Sequence, residues 1–199
     1  MFDWMPEWWS YRPADFLMFS AASYARLLER FHRDTWPLAL VMLLLGLVLL
    51  WGAARRRQVA ARAGTGVLAA VWLWVAWGFV ASRLGEIQIG IHFVAAAVAA
   101  QAVVLALIAL QRNATPGPAN TAGLAIAAAG LLLWPVLAPL TGRTLMQAEL
   151  FGMEPAPTSL FTLGWLWATG LRHRRWAAVI PAAVLVLSAT LLWLLSGGG

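Results

Sequence analysis

The sequence contains neither cysteine nor lysine, and only 8 of its 199 residues are acidic. Without cysteine there is no disulfide framework, thiolate metal site, CxxC redox pair or sulfur nucleophile, and nothing about compartment follows from redox chemistry. Charged residues make up 11% of the chain, against about 25% in an ordinary soluble domain. Recognisable chemistry is also missing: there is no phosphate-binding loop with its lysine, no GxSxG elbow, no dinucleotide fingerprint and no HExxH pair. The sequence therefore offers no catalytic residue, no cofactor and no metal-ligand set, and the expectation is a chain that is not an enzyme. What it has in excess is apolar surface. Hydrophobic residues reach 62% with a mean hydropathy of +0.76, more than a 21.6 kDa globule can hide from water. The remaining solvent is lipid.

Crossing a hydrocarbon core of about 30 Å takes about 20 apolar residues at about 1.5 Å each. Six runs qualify: Trp36 to Ala54, Thr65 to Leu84, Gly90 to Gln111, Thr121 to Leu140, Pro157 to Leu171 and Trp176 to Ser196. The fifth is short, so it begins earlier, includes a re-entrant stretch or sits where the bilayer is thin. Continuous apolar runs favour helices over the alternating strands of a barrel. The expected fold is all-α, a polytopic bundle of six transmembrane helices over residues 36–199, preceded by an outer amphipathic, interfacial segment over residues 1–35.

All basic side chains are arginine, and their placement predicts orientation. The loops after runs one, three and five hold Arg55, Arg56, Arg57, Arg62, Arg112, Arg172, Arg174 and Arg175 and no acid. The opposite side carries every acidic residue: Asp3, Glu7, Asp15, Glu29, Asp34, Glu86, Glu149 and Glu154. By the positive-inside rule the arginine loops are cytoplasmic and both termini lie outside, in an inner membrane. Short basic loops lying against anionic headgroups also account for the pI of about 11.4 without nucleic acid as a partner.

The first 35 residues do not read as a signal peptide, because they lack a basic start and an uninterrupted apolar stretch. From Pro13 and Asp15 onward, Phe16, Phe19, Tyr24, Leu27, Leu28 and Phe31 recur at helical spacing, with Arg26, Glu29, Arg30 and Arg33 on the other side. This predicts an amphipathic helix, either a surface anchor or a lid over an outer cavity. Trp36, Trp51, Trp134, Trp165, Trp167, Trp176 and Trp193 fall toward the ends of runs, where indole rings favour the interface, while Trp72, Trp74 and Trp77 sit deeper. Alanine-rich stretches in runs three and four predict that those two helices form the tight centre.

Ionisable groups are absent from the middle of every run, which argues against a proton-driven pump. Gln101 is the strongly polar side chain at mid-depth and reads either as a bridge between helices or as a substrate contact. With His92, Trp74 and Trp77 it forms the candidate pathway or ligand-contact set. The outer-face polar cluster comprises Arg12, Asp15, Arg83, Glu86, Arg143, Glu149 and Glu154, with Arg143–Glu149 and Arg83–Glu86 as candidate ion pairs closing the bundle mouth. Glu149, Glu154, Asp15, His32 and His92 are the available donors for a cation, but their spacing is not that of a metal site. Thr158, Ser159 and Thr162 are placed to satisfy amides at the start of run five. No internal repeat is evident.

The stretches Trp9-Ser10-Tyr11-Arg12, Asp15-Phe16-Leu17, Thr35-Trp36-Pro37 and Ala148-Glu149-Leu150-Phe151-Gly152, continuing through Pro155 to Thr158, resemble a family of small bacterial inner-membrane proteins of unknown function, sometimes labelled permeases. The resemblance covers nearly the whole chain and implies topology, with no activity or catalytic residues to carry over. Two functions follow as expectations. One is a non-enzymatic accessory or scaffold subunit whose partners are lipids and a membrane protein or a second copy of the chain. The other is a small-molecule or ion permease or channel with an outer vestibule near Gln101 and His92.

Overall fold

The computed structural model describes residues 18–55, 58–111, 120–171 and 173–195. These residues are mostly helical, with no strand among them. Helix α1 spans Ala21–Asp34 and is capped by Ser20, whose hydroxyl accepts from the Ser23 amide. Thr35 alone separates it from α2, Trp36–Ala54, and Pro37 stands in the first turn of α2, where a missing amide costs nothing. Helix α3 spans Gln58–Trp74 and runs on as a π-helical stretch, Val75–Ala81. The next helix, α4, covers Ile91–Leu110. Helix α5 starts at Thr121–Ala128, passes through a π turn at Ala129–Leu133 and a 3-10 turn at Trp134–Val136, and ends at Leu137–Leu140. Those irregular turns sit where Pro135 and Pro139 withhold amides from the α-helical ladder. Helix α6 spans Pro155–Thr169, and α7, Val179–Leu195, follows a single turn at Arg174–Ala177.

Five of these segments are long and apolar enough to cross a membrane: Trp36–Ala54, Val59–Glu86, Ile91–Leu110, Thr121–Leu140 and Arg174–Leu195. The sixth run differs. Helix α6 has 15 residues, about 22 Å of rise, and is the most enclosed helix of the bundle, with Phe161, Thr162, Trp165 and Leu166 fully buried. It packs against α2, α3, α5 and α7.

The tight centre predicted between runs three and four lies elsewhere. Helix α4 packs mainly on α3, and α5 packs on α6. A Cβ added at Gly164 would run into the Ala127 amide, and one added at Gly123 into the Ala168 amide, so these two helices meet backbone to backbone. Small residues at Gly123 and Ala127 face Ala168 and Gly164, and Gly130 faces the Pro157–Phe161 backbone, which is the spacing that allows helices to approach closely. Alanine density misled because Ala96, Ala97 and Ala100 of α4 point away from the bundle. Trp165 likewise departs from its expected interfacial position. It is buried, and its indole donates to Thr65 Oγ1 at 3.0 Å, while the Trp72 indole donates to Thr162 Oγ1 at 2.9 Å.

Candidate functional site

Every acid among the described residues, Glu29, Asp34, Glu86, Glu149 and Glu154, lies at one end of the bundle, together with α1 and the connection from α5 to α6. The charge and turn-forming Gly and Pro of that connection predict an ordered outer loop able to hold a site. It is ordered by packing inward: Ala148, Glu149, Phe151, Gly152, Met153 and Glu154 are buried. A Cβ on Gly152 would meet Met42 Sδ at 2.7 Å, and one on Gly46 would meet the Phe151 ring at 3.0 Å, which places the segment against the inner face of α2. Gly152 has a φ of 75°, a conformation that suits a residue without a side chain and turns the chain back toward α6. The turn is tied by Thr158, whose hydroxyl accepts from the Gly152 amide at 2.8 Å and donates to the Glu154 carbonyl at 2.7 Å. Thr158 thus serves the loop, and Thr162 donates back to the Thr158 carbonyl instead of capping helix-start amides.

Helix α1 closes over this segment. Tyr24, Leu28, Phe31 and His32 share one face, and all four are buried. Tyr24 donates to Glu149 Oε1 at 2.7 Å, and Trp134 from α5 donates to Glu149 Oε2 at 2.9 Å. His32 Nε2 lies 3.0 Å from Glu154 Oε1, and its Nδ1 lies 2.9 Å from the Met146 carbonyl. The second Glu154 oxygen accepts from the Leu150 amide at 2.6 Å. Both His32 nitrogens face acceptors, so the imidazolium satisfies both and neutral imidazole only one.

The electrostatics follow from that packing. Burial opposes a charge on His32, but the hydrogen bond and charge of Glu154 outweigh it and raise the histidine above its ordinary value. Burial also raises the Glu154 carboxyl, against the pull of His32. The Tyr24 hydroxyl is pushed well above the usual tyrosine range, first by burial and then by the adjacent Glu149 carboxylate.

Beside Glu149 lies a cavity of about 260 Å³, bounded by α1, α3, α4, the start of α6 and α7. Its walls are mostly apolar, including Phe79, Val80, Leu84, Val94, Val184 and Leu191.

The candidate pathway residues are not gathered at this cavity. Gln101 is fully buried at mid-helix, and its amide donates to the Ala177 carbonyl at 3.0 Å, joining α4 to the turn before α7. His92 is exposed in the first turn of α4. Trp74 folds its ring across Gly78, and Trp77 faces outward, 72% exposed. Of the outer-face set, Arg12 and Asp15 lie outside the described residues. The two expected ion pairs are replaced by other contacts. Arg83 binds Asp34 at 3.0 Å and lies over the Phe31 ring, Glu86 is exposed, and Arg143 donates to the Thr141 hydroxyl. Among the described residues no group of three or more histidines and acids is placed to hold a metal ion.

Sequence reasoning placed Glu149, Glu154 and His32 at this end without pairing His32 with Glu154, and it missed Tyr24 and Trp134 as the partners of Glu149. The available signal was that Tyr24 and His32, the polar-tipped members of an otherwise apolar helical stripe, stand eight residues apart on one face of α1. A family model described as a family of unknown function (DUF6064) matches residues 21–196, which spans α1 to α7. No curated protein and no solved structure matches the chain.

Proposed function

The chain belongs to this family of unknown function, and from that premise we propose that it is a six-crossing integral protein of a bacterial inner membrane that acts, without catalysis, as an accessory or scaffold subunit of a membrane assembly. One observation supports a scaffold over a permease: large side chains fill the middle of the bundle. Trp72, Phe161, Thr162 and Trp165 are fully buried there, with their polar atoms bonded to one another's helices, where a transport path needs space. Gln101, the polar group a path would use, is engaged with Ala177.

In this reading α6 is the additional crossing. Because its neighbours shield it from lipid, its 15 residues need not match the hydrocarbon thickness. Arg55, Arg62, Arg174 and Arg175 stand at the end opposite the acids, which supports a cytoplasmic arginine end and an outer α1. The partner is a membrane protein or a second copy. Extraction of the tagged chain from its native membrane in mild detergent tests this. The expected result is a stoichiometric membrane-protein partner or a stable oligomer, with no solute flux above that of empty liposomes after reconstitution. A lone monomer that carries solute across proteoliposomes would overturn the scaffold in favour of the permease.

A further inference from the structure

We propose that the cavity beside Glu149 binds a single-chain amphiphile with an ammonium head, the head against the Glu149 carboxylate and the tail along α7. The first reason is an imbalance of charge. Glu149 is 4% exposed, and its oxygens accept from two neutral donors, Tyr24 and Trp134. Each of the ion pairs found among the described residues involves another acid: Glu154, Glu29 or Asp34. The Glu149 carboxylate is removed from water and no ion pair among the described residues reaches it, His32 acting on it only through the longer-range charge interaction, so a cation entering the cavity adds the direct counter-charge it lacks. None of the described residues lining the cavity is basic, so these walls offer a cationic head no repulsion and an anionic head no partner.

The second reason is the aromatic part of the wall, which reaches the carboxylate through Tyr24. Phe19, Tyr24 and Phe79 line the cavity, with the Phe19 and Tyr24 rings stacked at 5.9 Å between centroids. Aromatic faces beside a carboxylate attract an ammonium group and tolerate the methylenes attached to it. The third reason is shape. At about 260 Å³ the space falls below the range of about 300 to 1,000 Å³ typical of drug-sized ligands. It therefore accepts a small head and the first few carbons of one chain. The rest of the tail leaves past Ile89 and Leu187, which line the cavity and are 80% and 51% exposed. Leu187 belongs to a helix apolar enough to cross a membrane, so that mouth faces lipid and the ligand arrives from the bilayer.

This inference adds a ligand to the scaffold reading without depending on it, since flux and partner assays do not report on it. The test is equilibrium binding of radiolabelled dodecylamine to the full chain in maltoside micelles at neutral pH, with dodecanol and ethylamine as competitors. Expected are saturable one-to-one binding, competition by dodecanol weaker by about tenfold or more, and negligible competition by ethylamine. Glu149→Gln, which keeps the shape and removes the charge, should abolish the preference for the amine over the alcohol. Leu187→Trp, which narrows the mouth without touching the carboxylate, should weaken both ligands and serves if the first variant does not fold. Equal affinity for amine and alcohol, ethylamine competing as well as dodecylamine, or binding unchanged by Leu187→Trp would each overturn the proposal.

Discussion

At the residue scale the pair of His32 and Glu154 is the contact most open to measurement. Both groups hold their protons more tightly in the folded chain than in an unfolded one, so folded stability falls as pH rises. For His32 the contribution is complete below the ordinary histidine value of 6.5 and is lost as pH climbs through the raised folded value. For Glu154 the decline begins lower, in the ordinary carboxyl range. The apparent melting temperature in detergent should therefore fall as pH rises above the ordinary histidine value, and His32→Gln should flatten that part of the curve. A wild-type melting temperature that rises there would contradict the pairing. The sequence made both residues visible as members of an acid-rich, histidine-bearing side. It could not show that they touch, because 122 positions separate them and helix α1 must fold back over the connection before α6 to join them.

At the element scale the decisive contact is between α5 and α6. Helical periodicity identifies the face a helix buries only when the other face is polar. Helices such as α2 and α4 are apolar all round, so hydropathy does not say which side meets protein and which meets lipid. What decides is where backbones can touch, and the glycines at 123 and 164 mark that place. Gly164→Leu should destabilise the bundle by at least about 1–3 kcal/mol, because the added side chain meets the Ala127 backbone. Ala100→Leu, on the outward face of α4, should change stability by less than about 0.5 kcal/mol. Thermal unfolding of both variants in the same detergent checks the pair. Comparable losses would return the tight centre to α4.

At the scale of the whole molecule the question is which end faces which compartment. The absence of cysteine makes the test direct, since a single introduced thiol has no background. Leu145→Cys, 69% exposed at the acid-bearing end, should react with a membrane-impermeant maleimide added to intact cells. Arg55→Cys, at the opposite end, should react only after the membrane is opened. The reverse pattern would invert the orientation, and labelling of both in intact cells would place the two ends on one side. Helix α1 covers the end that holds Glu149, Glu154 and the cavity through its Tyr24 and His32 contacts, while Arg55, Arg62, Arg174 and Arg175 stand at the other end.

The sequence by itself determined that this chain is a set of apolar helices with every acid kept to one end and an acid-free group of arginines at the other, because length, hydropathy and charge placement act locally along the chain. Tertiary structure alone decided that the connection before α6 turns inward, that α6 becomes the centre, and that Tyr24, His32 and Trp134 close around two buried glutamates. Those outcomes depend on backbone close approach and on partners far apart in sequence, and a run of uniformly apolar residues carries no pattern from which either can be read.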